Sequence, residues 1–226
     1  MALLKGAQNV VTMTPPVRKF ALTAHVTSAV GWLGAVASFL TLALAGLASR
    51  DADLVRAAYV ATDTITWWVI VPLAFAALAT GLIMSLGTQW GLFPHYWVLV
   101  KFMLTMLATV LLLLHTRPIG ALASVARESR LWSNDVRQLQ MQLVGDASAA
   151  LFVLLVNVTL SVYKPYGLTA YGRRRQGEPR QIVDESIGDA QRAPRWIQAL
   201  AIAIAALIVG FVIVHLAGRG LGSLHH

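Results

Sequence analysis

From Tyr96 to His115 the chain runs for twenty residues that open on an aromatic pair, Tyr96 and Trp97, and close on a histidine. Between them stands one charge, Lys101, followed by thirteen uncharged residues from Phe102 to Leu114. At ~1.5 Å rise per residue a helix of this length spans about 30 Å, the thickness of a bilayer core, with Trp and Tyr where interfacial anchors belong. The stretch reads as a transmembrane helix. An ammonium inside it costs on the order of 2.5–3.5 kcal/mol by insertion scales, so Lys101 needs a partner, a cavity or a short route to the interface.

Composition agrees. Of 226 residues 57% are hydrophobic and 12% charged, against roughly 25% charged in a soluble domain. The fold class expected is all-α, a polytopic transmembrane helical bundle, with residues 1–226 forming a single membrane-embedded domain. The net charge of +8 lies mainly in segments that flank apolar runs. Membrane orientation and anionic lipid account for it better than nucleic acid does. The absence of cysteine excludes disulfides, thiolate metal sites, iron–sulfur clusters and covalently attached c-type haem.

Charge-free stretches set the spans. Phe20 to Ser49 holds no formal charge with His25 neutral, too long for the apolar core of a cleavable signal peptide, although Ala43, Leu44 and Ala45 have the form of a cleavage site. A first span is expected over 20–48, with Ser28, Gly31, Ala35 and Ser38 at the spacing that lets another helix approach. From Asp63 to Lys101 nothing is formally charged between the two, and Gly87, Gly91 and Pro94 mark a fold-back. This gives a second span over 64–86, with Trp67 and Trp68 near an interface and a kink at Pro72, and a third over 96–115. Trp132, Val136, Leu139 and Leu143 follow a helical period and are expected to extend the fourth span, 147–163, outward. A flexible loop over 164–195, including Arg173, Arg174 and Arg175, leads to a fifth span over 196–216. Four spans are the alternative.

With five spans the two ends lie on opposite sides. An N-terminus inside leaves ten Lys and Arg on inner segments against seven outside, Lys101 excluded. The expectation is a cytoplasmic N-terminus, a cytoplasmic loop 164–195 that binds anionic lipid, and a C-terminus outside. Homo-oligomerisation is open.

Candidate ligands sit on the spans. On the outward-running helices one, three and five, His25 and Lys101 both fall about 7.5 Å from the inner edge, and His95 lies at that edge. His115 and His215 share the outer level, about 21 Å further along. An inner cluster of His25 with Lys101 or His95, and an outer one of His115 with His215, are each candidates for holding iron. A b-type haem needs large apolar walls and one or two nitrogen ligands, and lysine ligates only after losing its proton. The plainer alternatives are that His95 and His115 meet headgroups, that Lys101 snorkels, and that His25 bonds Asn157, Ser161 or a backbone carbonyl. His25 shares a helix face with Trp32.

The string His25-Val-Thr-Ser-Ala-Val-Gly-Trp32-Leu-Gly34 resembles the first-helix pattern of copper-resistance-D-like membrane proteins and of HemJ-type protoporphyrinogen oxidases. The stretch Trp97 to His115, with its early lysine, is similar to the lysine-bearing helix of the HemJ type. The likeness covers two helices, and the lysine-to-histidine spacing is longer than in HemJ, so the enzyme activity does not carry over. It implies haem b held by His25 and Lys101, with Trp32 beside the cofactor. Tyr163-Lys-Pro-Tyr-Gly resembles a feature of uncharacterised bacterial integral membrane proteins, which implies a bacterial inner membrane. The function expected is haem b binding in electron transfer or porphyrin-related redox chemistry, with a membrane redox partner. The alternatives are a non-catalytic membrane partner or assembly subunit, and a small permease using Lys101 and Asp63.

Overall fold

The structure, a computed structural model, describes residues 13–87, 95–128 and 134–163 together with the single position Ala199. Among these the regular structure is helical: α1 (Pro15–Ala48), α2 (Ala52–Ile65), a π-helical turn (Thr66–Ile70), α3 (Val71–Gly87), α4 (Tyr96–Arg127) and α5 (Asn134–Tyr163). Because α2, the π turn and α3 run on without a break, the described chain has four helices long and apolar enough to cross a membrane. The expected fifth span 196–216, the loop 164–195 and His215 lie outside the described residues.

Contacts between helices reveal an up-and-down bundle. His25 meets Thr80 across α1 and α3, and Gly31 faces Leu73. Arg56 reaches the Ala126 carbonyl, and Asp63 lies against Gly120, across α2 and α4. Lys101 bonds Ser161, Thr105 bonds Asn157 and His115 meets Asp146 across α4 and α5. In each set the first partner's number rises as the second's falls, which is antiparallel packing. With α1 also packed on α5, the ring closes, as in bundles with short connections.

Each helix outlasts the apolar stretch that marked it. The second begins at Ala52 rather than 64, the third continues past His115 to Arg127, and the fourth begins at Asn134 rather than 147. A backbone hydrogen-bond ladder is indifferent to whether side chains meet lipid or water, so charge marked the membrane edge and not the helix end. Of the four residues expected to extend the fourth span, Val136 and Leu143 are buried and Leu139 packs on the core, while Trp132 lies outside the described residues. Their apolar stripe is what holds this otherwise polar stretch to the bundle.

Two prolines sit inside helices. Pro72 has no N–H to donate, and the irregularity it requires is absorbed one turn earlier, where Val71 N–H reaches back to the Thr66 carbonyl in the wide π geometry. Pro118 is tolerated within α4. Of the small-residue stripe on α1, Ser28 and Ala35 are buried and Gly31 lies against Leu73, where an added Cβ would stand 3.2 Å from Cδ1. Ser38 is exposed. Buried Phe39 lies beside it in sequence and on the core-facing side.

The turn between α1 and α2 is capped by side chains. Ser49 Oγ accepts from Asp51 N–H at 3.0 Å, and Asp51 Oδ1 accepts from Asp53 N–H at 3.0 Å. Asp51→Ala is expected to lower the unfolding free energy by about 1 kcal/mol, measured by thermal melting in detergent, whereas Asp51→Asn preserves it.

Candidate functional site

The ionisable side chains inside the bundle form two groups, one at each end. At the end where α1 begins and α5 finishes, His25 Nδ1 lies 3.1 Å from Thr80 Oγ1. Thr80 donates its own hydroxyl proton to the Ala76 carbonyl at 2.5 Å, as threonines in helices commonly do. With that proton committed, Thr80 Oγ1 accepts from His25 Nδ1, and the imidazole also hydrogen-bonds the Ala77 backbone of α3. The ring lies against Gly81: a Cβ there would stand 3.1 Å from His25 Cε1. Glycine leaves the imidazole its place.

Lys101, from α4, lies within Coulombic reach of His25. Its ammonium donates to Ser161 Oγ of α5 and stands 6.0 Å from the centre of the Trp97 ring, a cation–π distance. Ser161 donates onward to the Asn157 carbonyl at 2.9 Å. Asn157 Nδ2 donates to Thr105 Oγ1 at 3.0 Å, and Thr105 donates to the Lys101 carbonyl at 2.8 Å. These bonds zip the α4–α5 seam and give Lys101 polar company. Of the partners expected for His25, Asn157 and Ser161 serve α4 instead, while the backbone bond is made to Ala77 of α3.

His95 occupies the position before α4 in extended conformation, and its carbonyl accepts from Leu99 N–H at 3.3 Å. Trp32 is packed into the apolar core, about 10 Å further along α1 than His25 by helix rise.

At the other end His115 is buried. Its Nδ1 lies 2.6 Å from the Leu111 carbonyl, and its Nε2 lies 3.0 Å from Asp146 Oδ2, an ion-pair distance. Asp146 was absent from the sequence-based candidates. The signal that finds it is register: Lys101–Ser161, Thr105–Asn157 and His115–Asp146 are all centred on positions 130–131, as an α4–α5 hairpin with equal rise on both arms requires.

Nearby, Arg127 reaches Asp63 Oδ2 at 3.4 Å with half of the arginine side chain exposed. Such a pair contributes about 0–1 kcal/mol. Asp63 therefore serves the α2–α4 seam and Lys101 the α4–α5 seam, and the two are not brought together as a common path. Among the described residues no group of three or more His, Cys, Asp or Glu is gathered to hold a metal ion.

These placements bear on haem b. His25 fits as the residue that would hold the iron: its ring is anchored to Thr80 and to the Ala77 backbone of α3, and Gly81 leaves room beside it. A ligating histidine anchored in this way has its ring orientation fixed. At the other end both nitrogens of His115 face partners, Leu111 and Asp146, so iron there would have to displace the carboxylate. Comparison of the chain with family models, with curated proteins and with solved structures gives no match, so function is argued from this geometry.

Proposed function

We propose that the chain is a haem b-binding integral membrane protein that acts in electron transfer or porphyrin-related redox chemistry, with His25 as the residue that would hold the iron. The observation that supports it best is the placement of His25, an imidazole inside a membrane-length helix that is anchored by Thr80 and the Ala77 backbone and given space by Gly81. The first-helix resemblance between His25 and Gly34 points the same way.

Bound haem would supply a one-electron iron couple. The chain's own residues have separate tasks. Thr80 holds the imidazole by Nδ1, and Gly81 gives the ring its space. Lys101, held by Ser161 as a donor, places positive charge at the same end of the bundle. With haem bound it would serve as a charge partner for the anionic carboxylates of the porphyrin or, once deprotonated, as a second nitrogen donor to the iron. We place this end of the bundle toward the cytoplasm of a bacterial cell, on the excess of Lys and Arg in the N-terminal tail and in 164–195. The apolar segment 196–216 makes a fifth crossing on this reading.

The test is a reduced-minus-oxidised visible spectrum of detergent-purified protein from haem-replete cells, with a pyridine haemochrome assay for stoichiometry. Sharp haem bands at about one haem per chain are the expected result. A colourless preparation of folded protein overturns the proposal.

A further inference from the structure

His115 and Asp146 meet between α4 and α5, in the half of the bundle away from His25. The Leu111 carbonyl can only accept a hydrogen bond, and it stands 2.6 Å from His115 Nδ1, so Nδ1 carries a proton. In neutral imidazole the other nitrogen, Nε2, then has only a lone pair. That lone pair would sit 3.0 Å from Asp146 Oδ2, which in the carboxylate has only lone pairs as well. Two acceptors that close repel. Apolar surroundings worsen the conflict, because little water is present to screen the residual negative charge.

We propose that His115 and Asp146 form a proton-binding site in which one proton belongs to the pair. It is held as imidazolium beside carboxylate or as imidazole beside carboxylic acid, and the pair is neutral in both forms. Losing that proton leaves one net negative charge and a repulsive contact, so release of the proton and separation of the two side chains are one event. Asp146 is the more accessible partner, with 16% of its side chain exposed against 10% for His115, and is the side by which the proton exchanges with water. A buried ionisable pair in a transmembrane bundle marks a functional position by default, and this one requires no cofactor.

Among the described residues, the elements packed around the pair bring no further titratable group against it. From α2 come Arg56, on the Ala126 carbonyl, and Asp63, already paired with Arg127 of α4. Both lie beyond His115 toward the end of α4. On α1 no residue is formally charged between His25 and Arg50, and α3 carries none over 71–87. Arg117 on α4 and Arg137 on α5 are exposed.

The experiment uses the full chain in lipid nanodiscs with ¹⁵N-labelled histidine, combined with infrared spectra of the carboxyl stretch. His115 is assigned through His115→Asn and Asp146 through Asp146→Asn. At about pH 7 the expected result is either a doubly protonated His115 ring with ionised Asp146, or a neutral ring with a protonated-carboxyl band that Asp146→Asn removes. On raising the pH both signals change together, as coupled groups do. A neutral His115 ring beside an ionised Asp146 at that pH overturns the proposal. Should Asp146→Asn fail to fold, the wild-type spectra decide it, with His115 assigned by elimination using His→Gln substitutions at His25, His95, His215, His225 and His226.

Discussion

His25→Ala protein from haem-replete cells is expected to be colourless, with bound haem falling from about one per chain to none measurable. Alanine removes the nitrogen donor and leaves the helix intact, since alanine is the best helix former and the position is only half-buried. Circular dichroism and gel filtration should therefore match the parent, separating loss of ligand from loss of fold. Two further substitutions probe the ring's placement without removing it. Thr80→Val withdraws the acceptor that orients Nδ1, and losing such a supporting partner typically weakens a metal site about 10–100-fold. Gly81→Val puts a branched side chain where even a Cβ would stand 3.1 Å from His25 Cε1, so the ring must turn away and haem content should drop steeply. Stoichiometric haem retained in His25→Ala would remove His25 from the site and leave its bond to Thr80 as packing.

The largest effect on the fold is expected at Gly46. There α1 passes so close to α2 that an added Cβ would lie 2.7 Å from Tyr59 Cζ, 2.8 Å from Cε2 and 2.9 Å from the hydroxyl oxygen. The ring has nowhere to go: Tyr59 is fully buried, and its hydroxyl donates to the Ala43 carbonyl at 3.5 Å. Overpacking of this kind costs about 1–3 kcal/mol for small increments. Gly46→Ala should fall in that range, and Gly46→Leu should exceed it. Tyr59→Ala alone opens a cavity and costs about 3–5 kcal/mol. Combined with Gly46→Leu it should recover part of the loss, because the leucine fills the space the ring vacates. Thermal melts of the four proteins measure this coupling, and strict additivity would show that the contact is not what limits the helix approach.

Charge-free length made the membrane-crossing helices legible. Any stretch such as Phe20–Ser49 or Phe102–Leu114 must satisfy its backbone internally in lipid, and a helix is the local way to do so. The same signal misplaced the helix ends. Asp63, Arg117 and Arg137 stop an apolar run and do not stop a helix, so α2, α4 and α5 all continue through them. His25 and Lys101 were visible because a polar group in an apolar span stands out against its background. Their partners were not, because threonine and serine in membrane helices usually bond their own backbone and carry no distinctive mark, as Thr41 and Ser148 do here.

Sequence alone therefore determined the class of the molecule, the number of described crossings up to α5, and which titratable groups the bilayer makes costly. Hydropathy and charge act residue by residue and need no knowledge of neighbours. Only the tertiary structure decided what each group faces. The choice of Thr80 for His25, of Ser161 for Lys101 and of Asp146 for His115 follows from the antiparallel register of whole helices. That register is set by glycine contacts such as Gly46 on Tyr59 and by turns far from the sites themselves. A helix pair can slide by one turn with little change in apolar burial, so close backbone approach and interhelical polar bonds, rather than hydrophobicity, fix which side chains meet.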